Sequence, residues 1–345
     1  MAFYDGMFNF FGLRDWCNEN TSDVPMSMSE LLAKTRGESV TASAEGFPFP
    51  SLDNLNKACS NMPRTRELTA GVEDAFLNIK DSLKVVLDPI TQPLSWFLDG
   101  ALYAFTSTPW FILIPILILC AWYVSKSLSV TLLVAFSFLS FSFIDHLNVA
   151  IQTLSIVFVC TTICVLFGVP IGILMSRSNA LQRVTIPILD LLQTLPSFVY
   201  LIPLIFLFSV TESKLYGIAI ILYAIVPVIR LTNLGIRLVD KDVIEAANAF
   251  GMSKQQKLFG VEIPLALPNI MAGINQTIMM SLSMVVIASL VSAPGLGVLV
   301  LRGIRNLELG VGLIAGLGIV LLAVVLDRTS KGALIRINKS HHQDK

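Results

Sequence analysis

The sequence predicts an all-α, polytopic membrane protein of about seven transmembrane helices with an amphipathic N-terminal tail. Three observations predict it. Hydrophobic residues fill 54% of the 345 positions and charged residues only 14%; the mean hydropathy of +0.73 excludes an ordinary soluble domain. Charge-free runs of bilayer-spanning length recur along the chain. The remaining charges are sorted: residues 1–108 carry 8 Lys/Arg and 14 Asp/Glu, a net −6, so the rest of this neutral chain is +6.

Residues 1–108 read as an acidic extracytoplasmic tail. Positions 1–65 mix Ser, Asn, Pro and charge, and Phe47, Pro48, Phe49 and Pro50 argue for an extended linker. Cys17 and Cys59 lie in this tail, paired or unpaired. Over 66–88, Val72, Phe76, Ile79, Leu83, Val86 and Leu87 recur every three or four positions, opposite Glu73, Asp74, Asn78, Asp81, Lys84 and Asp88. That pattern predicts a helix ended by Pro89. A second stripe, Leu94, Phe97, Leu98, Ala101, Leu102 and Phe105, leads into the first span. Such a helix suits the outer membrane surface or the flank of other spans. The three histidines, His146, His341 and His342, form no metal-ligand pattern.

The apolar runs are 100–125, 127–144, 147–176, 191–211, 215–229, 263–301 and 309–326. Residues 109–146 thus hold two N-terminal helices, 147–330 a core and 331–345 a basic tail. The sixth run is too long for one helix. Pro294, Gly295 and Gly297 break it, which predicts a helix near 265–292 followed by an irregular outer segment. With the 230–262 loop inside, that side carries 13 Lys/Arg; the other carries three, Lys214, Arg302 and Arg305. The bias puts the C-terminus in the cytoplasm and the tail outside. Gly168 with Gly172, Gly312 with Gly316, and Gly273 with Thr277 and Ser281 predict close helix approach.

Between the fifth and sixth spans lies an island of polar sequence. Asp240 starts a helix over 241–249, Glu245 sits in its first turns, and Gly251 permits a sharp turn. A second short helix over 254–260 leads back to Pro264, which starts the next span. Ala246 and Ala247 present a face without bulk that a partner surface can approach.

Glu245, Ala246, Ala247, Gly251 and Pro264 match the EAA loop of ABC importer permeases, which inserts as a coupling helix into a cleft on the ATP-hydrolysing subunit. Val261 and Ile263 stand where that pattern usually has Ile and Leu. The runs 189–203 and 271–289 resemble permeases for glycine betaine and proline, so residues 147–330 are similar to that family as a core with its coupling loop at 242–260. Ala293, Pro294 and Gly295 depart from the family's usual Gly-Gly-Leu-Gly approach to the outer gate, which the resemblance assigns to Pro294, Gly295 and Gly297. The resemblance implies the ABC importer type I permease fold, alternating access and a bacterial inner-membrane location. It further implies a homodimer of this chain in membrane lipid, two cytoplasmic ATPases that hold ATP and Mg, and an extracytoplasmic binding protein. This chain would carry no cofactor, perform no catalysis and bind no nucleic acid; it has no G-x-x-x-x-G-K phosphate loop. The cargo would be glycine betaine, proline, trimethylamine N-oxide or choline. A permease of the same fold for another amino acid is the alternative. An ion-coupled secondary transporter fits less well, since no Asp or Glu lies at mid-span.

Polar residues within spans are the pathway candidates. Gln193 and Thr194 precede Pro196, which breaks its helix; Gln276, Met280, Ser283 and Ile287 fall on one face, with Asn275 beside it. The same residues also suit hydrogen bonds between helices. Asp190 and Arg230, near span ends, are placed to pair.

Overall fold

The computed structural model describes residues 7–12 and 65–343, and among them there is no strand. The expectations for Cys17, Cys59 and the Pro-rich linker fall outside the described residues. The chain divides into two units, Met1–Lys80 and Asp81–Lys345.

Helix α1, Thr65–Ser107, does not stop where the sequence predicts. Pro89 and Pro93 both lie inside it. Proline removes one donor and leaves the carbonyl four residues back unbonded. For Pro89 that carbonyl belongs to Val85, which is 75% exposed and therefore open to other partners. Beyond the prolines, packing holds the helix in place. Ser95 and Leu98 are buried, and Leu98 lies where a side chain on Gly217 would have to go. The second half of this helix packs on the flank of another span, and the first half leaves its apolar residues uncovered. Val72, Ile79, Val85 and Val86 are exposed, whereas Asp88–Asp99 rests on the start of a core helix.

The chain bends by 112° after Ser107 into α2, Trp110–Ser125, so the first apolar run is shared between two helices. Then follow α3, Leu128–Phe143, and α4, Leu147–Arg177. Helix α5, Asn179–Thr194, ends before Pro196; a 3-10 turn, Ser197–Tyr200, and α6, Leu201–Leu207, continue at 104° to it. Helix α7 spans Ser213–Arg237, and α8 covers Lys241–Ala249. Helix α9, Lys254–Lys257, passes through a π-helical turn, Leu258–Glu262, into α10, Ile263–Ala288. No break separates them: Lys254–Val291 is one continuous 38-residue helix. Pro264, expected to start a new span, lies within this helix. Proline is tolerated at the first turn of a helix, and here the π turn carries the backbone across that point.

Residues after 291 are also more regular than expected. Ser292 turns the chain at φ 75°, and α11, Leu296–Arg305, forms a short helix in place of an irregular segment. Its apolar face packs on the last helix, α12, Leu309–Gln343. Among the described residues, four helices are long and apolar enough to cross a membrane, two bent pairs qualify together, and α3 is shorter but apolar. These seven pieces correspond to the seven runs in the sequence.

The core is the packing of α4, α7 and α10 on one another. In lipid, apolar transfer does not drive helices together, so close contact must. Gly172 supplies it: a Cβ there would sit 2.6 Å from Thr232 Cβ and 2.8 Å from the Ile229 carbonyl. Met175, Leu189, Val226 and Ile229 form one buried cluster, and Ile236, Ala266 and Ile270 another.

Candidate functional site

The polar island folds into a knob whose local chemistry explains each turn. Asp240 caps α8 by accepting from the Asp242 amide at 3.0 Å. At the other end the Gly251 amide donates to the Asn248 carbonyl (2.9 Å) and the Met252 amide to the Ala247 carbonyl (3.1 Å). That pair of bonds is a Schellman closure, which needs a left-handed residue; Gly251 provides φ +75°. Ser253 then opens α9 with a reciprocal capping box to Gln256, at 3.3 and 2.9 Å. Lys257 Nζ ties the two helices together through Asn248 Oδ1 at 2.9 Å.

The expected coupling residues separate in this geometry. Glu245 and Ala246 are exposed, while Ala247 is buried at 5% inside the knob. Ala247 is small because the knob closes over it; Ala246 is the one that faces outward. Two residues that the sequence reading passed over dominate the outer surface: Phe250 is 87% exposed and Phe259 is 69% exposed. A bare aromatic at a helix end in an otherwise polar loop was the available signal.

Both roots of the knob are fastened to the same place, the end of α4. On the incoming side, Arg237 donates from Nη2 to the Met175 carbonyl at 3.0 Å and from Nε to Asn233 Oδ1 at 3.1 Å. On the outgoing side, Arg177 grips the buried carboxylate of Glu262 with both arms, Nη1 lying 3.2 Å from Oε1. An open crevice of about 410 Å³ lies between, lined by Arg177, Arg237, Lys241, Glu245, Asn248 and Glu262. Arg177, Arg237 and Glu262 were not singled out in the sequence, because their partnership exists only once α4, α7 and α10 pack.

The pathway candidates also divide. Gln193, Thr194 and Pro196 are exposed at the break after α5. The 3-10 turn that follows packs on α10, and the Tyr200 hydroxyl donates to the Leu192 carbonyl freed by that break. Gln276 and Ser283 are exposed on α10, with Met280 half-buried between them. Asn275 leaves this group. Its Nδ2 donates to Asp327 Oδ1 at 2.9 Å and its Oδ1 accepts from Ser330 at 2.7 Å, so it binds α10 to α12. Asp190 and Arg230 pair as their positions suggested.

At the expected gate, Gly295 adopts φ +123° and a Cβ there would meet Thr153 Oγ1 at 2.3 Å. The next amide, Leu296, donates to that same oxygen at 2.9 Å. A Cβ on Gly297 would lie 2.3 Å from Ser289 Oγ. Pro294 is half-buried beside them. These glycines let α11 fold back against α4 and the end of α10.

At the opposite end of α7 from the knob, Lys214 is buried with Nζ 2.7 Å from Asp88, 2.9 Å from Glu212 and 5.1 Å from the Phe208 ring centroid. Its amide donates to Ser95 Oγ at 3.2 Å. Ser213 donates to Asp99, completing the seam along α1.

Residues 168–331 match the family described as binding-protein-dependent transport system inner membrane component. The chain is 37% identical over 286 residues to the glycine betaine/proline betaine transport system permease protein ProW of Escherichia coli (strain K12), covering 82% of this chain and 80% of that one. It is 41% identical over 250 residues to the glycine betaine transport system permease protein OpuAB of Bacillus subtilis (strain 168), covering 72% and 88%. Among solved structures, an inward-facing MetNI methionine ABC transporter aligns with a TM-score of 0.50 at 20% identity, over 56% of this chain and 95% of that chain. That likeness concerns the fold alone.

Proposed function

The chain belongs to the family of binding-protein-dependent transport system inner membrane components, and from that membership we propose that it forms the path for glycine betaine or a related methylated amine. It is a permease subunit of an ABC importer and not an enzyme; an ATPase and a substrate-binding protein are its partners by family. ATP and Mg would act on the ATPase, with no cofactor in this chain.

The observation that carries the mechanism is the double fastening of the knob to the end of α4. In this reading the exposed Phe250, Phe259, Glu245 and Ala246 seat in the ATPase. Its closure moves the knob as one piece. Because Arg237 and Glu262 anchor both roots at Met175–Arg177, α4, α7 and α10 move together, a two-state element biased from a distance. The exposed Gln276 and Ser283 and the exposed break at Gln193–Pro196 support a path completed by a second copy of this chain. The outer gate would lie at Pro294, Gly295 and Gly297. The charge bias supports a cytoplasmic knob and C-terminus with the N-terminal region outside.

The test is uptake of radiolabelled glycine betaine by cells carrying this chain with its ATPase and binding protein, competed by proline, choline and trimethylamine N-oxide. Uptake lost when the ATPase is inactivated is the expected result. Uptake that survives ATPase inactivation and collapses with an ionophore would overturn the reading.

A further inference from the structure

Helix α12 carries a carboxylate inside its apolar span. Asp327 lies nine residues before the end of the stretch Leu309–Arg336, about 13 Å of helix from that end, and its side chain is 19% exposed. A charge at such a depth is costly in lipid and marks a residue with a task. Its partners are all in place. Asn275 Nδ2 donates to Asp327 Oδ1 at 2.9 Å, Lys331 Nζ lies 2.9 Å from the same carboxylate, and Ser330 donates to Asn275 Oδ1 at 2.7 Å. The Asn275 amide thus spends both a donor and its acceptor on α12. Among the described residues no other side-chain hydrogen bond joins α10 to α12.

The place of this junction is unusual. Helix α10 has 26 residues and Asn275 is the thirteenth. Two residues earlier, Gly273 lets α7 come close: a Cβ there would lie 3.1 Å from both Val228 Cα and Leu231 Cβ. Residues two apart on a helix face about 200° apart, so the middle of α10 is held between α7 and α12. Helix α12 is in turn fixed to α2. A Cβ on Gly332 would lie 2.6 Å from Ser125 Cβ, and Arg336 donates to the Tyr123 carbonyl. The roots of the knob, by contrast, are fastened to α4 through Arg177 and Arg237. A body of α4, α7 and α10 therefore meets a body of α2 and α12, and among the described residues their shared side-chain hydrogen bonds are all at the midpoint of α10.

We infer that Asp327 is a positioning residue for transport: through Asn275 it fixes the point about which α4, α7 and α10 turn against α2 and α12. The inference rests on the permease reading above. Rotation about the middle of a helix leaves that middle in place, so a hydrogen bond there persists while packing at both ends is exchanged. A bond confined to about 2.7–3.2 Å would be broken by the same motion at either end. Apolar contact alone would let α10 slip along α12, whereas a polar group buried between helices fixes their register.

The test is glycine betaine uptake per ATP hydrolysed, in liposomes holding the permease with its ATPase and binding protein. Asn275→Leu keeps the size of the side chain and removes the bond. It should melt close to wild type and lower the uptake ratio at least about fivefold, the low end of couplings between sites. N275D sets a second carboxylate against Asp327 and should fail in the same way. N275D/D327N exchanges donor and acceptor and should recover the ratio; this exchange decides the question if Asn275→Leu misfolds. Lys331→Gln removes an exposed charge partner, leaves the bond to α10 and should couple as wild type. Normal coupling in Asn275→Leu would overturn the pivot. So would N275D/D327N coupled no better than N275D, or a loss in Lys331→Gln as large as in Asn275→Leu. Wild-type uptake indifferent to inactivation of the ATPase would instead overturn the permease reading, and the pivot with it.

Discussion

Arg177 and Glu262 stand 85 residues apart in sequence and join as a two-armed pair in which the carboxylate side chain is 6% exposed and the guanidinium side chain 39%. The asymmetry decides what each partner contributes. Glu262 has left water and has Arg177 as its hydrogen-bonding partner, whereas Arg177 retains solvent on one side.

Removing Arg177 should therefore cost more than removing the charge on Glu262. Breaking a fully buried pair costs about 3–5 kcal/mol; with one partner partly solvated, Arg177→Ala should lose on the order of 2 kcal/mol. Glu262→Gln keeps a hydrogen-bonding side chain and should lose about 1 kcal/mol. Thermal unfolding of the purified chain reads the difference. Both variants should also lower uptake relative to ATPase turnover. Equal stability loss in the two would show that the pair is not asymmetric in this way.

On the knob, Ala246 and Ala247 should respond differently to the same change. Ala247→Leu overfills a buried position, at a cost of about 1–3 kcal/mol, and should unravel α8 itself. Ala246→Leu should leave the knob folded and block its seat. Phe250→Ala should likewise spare the fold and reduce co-purification of the ATPase, since an aromatic anchor seated in a partner's pocket contributes about 2 kcal/mol where it is a hot spot. Wild-type recovery of the ATPase with Phe250→Ala would remove that residue from the contact.

Gly297→Ala and Gly316→Ala make a matched pair. The first adds a methyl 2.9 Å from Val286 Cα, which is backbone and cannot swing aside; the second meets nothing within 4 Å. Gly297→Ala should destabilise by about 1–3 kcal/mol, while Gly316→Ala should be neutral or slightly stabilising because alanine favours helix. Melting temperatures of the two variants decide it.

Lys214 should hold the second half of α1 to the core. Hydrogen bonds to charged groups are worth about 1.5–3 kcal/mol each, so Lys214→Ala should raise amide exchange over Asp88–Asp99 at least about tenfold. Asp88→Asn should do less, because Glu212 still pairs with the lysine. Unchanged protection in Lys214→Ala would assign the seam to Leu98 packing instead.

What the sequence made legible was local. Charge-free runs located the spans, the Asp240 cap and Gly251 located the knob, and Pro196 located a break that the structure contains. The reading of Pro89 failed because proline's cost is set by where the freed carbonyl points and by what lies downstream, here Ser95 and Leu98 against α7. Asn275 stands beside the Gln276 face in the sequence, but a neighbour one residue away on a helix points about 100° elsewhere, here toward Asp327. The clamps at Arg177 and Arg237 have no local signature, as an arginine at a span end is ordinary in any membrane protein.

The uninterrupted helix from Lys254 to Val291 has a mechanical consequence. Thirty-eight residues at the α-helical rise make a rod of about 57 Å, long enough to reach from a partner's surface through the bilayer to the far side. A tilt of about 5° about its midpoint would shift each end by roughly 2.5 Å in opposite senses. Such a rod can absorb a push on Lys254 only in its weakened stretch, the wider turn at Leu258–Glu262 and the positions of Pro264 and Pro268, each lacking a backbone donor. The stroke delivered at one end is thus inverted at the other, and the Glu262 anchor sets where the lever meets the load.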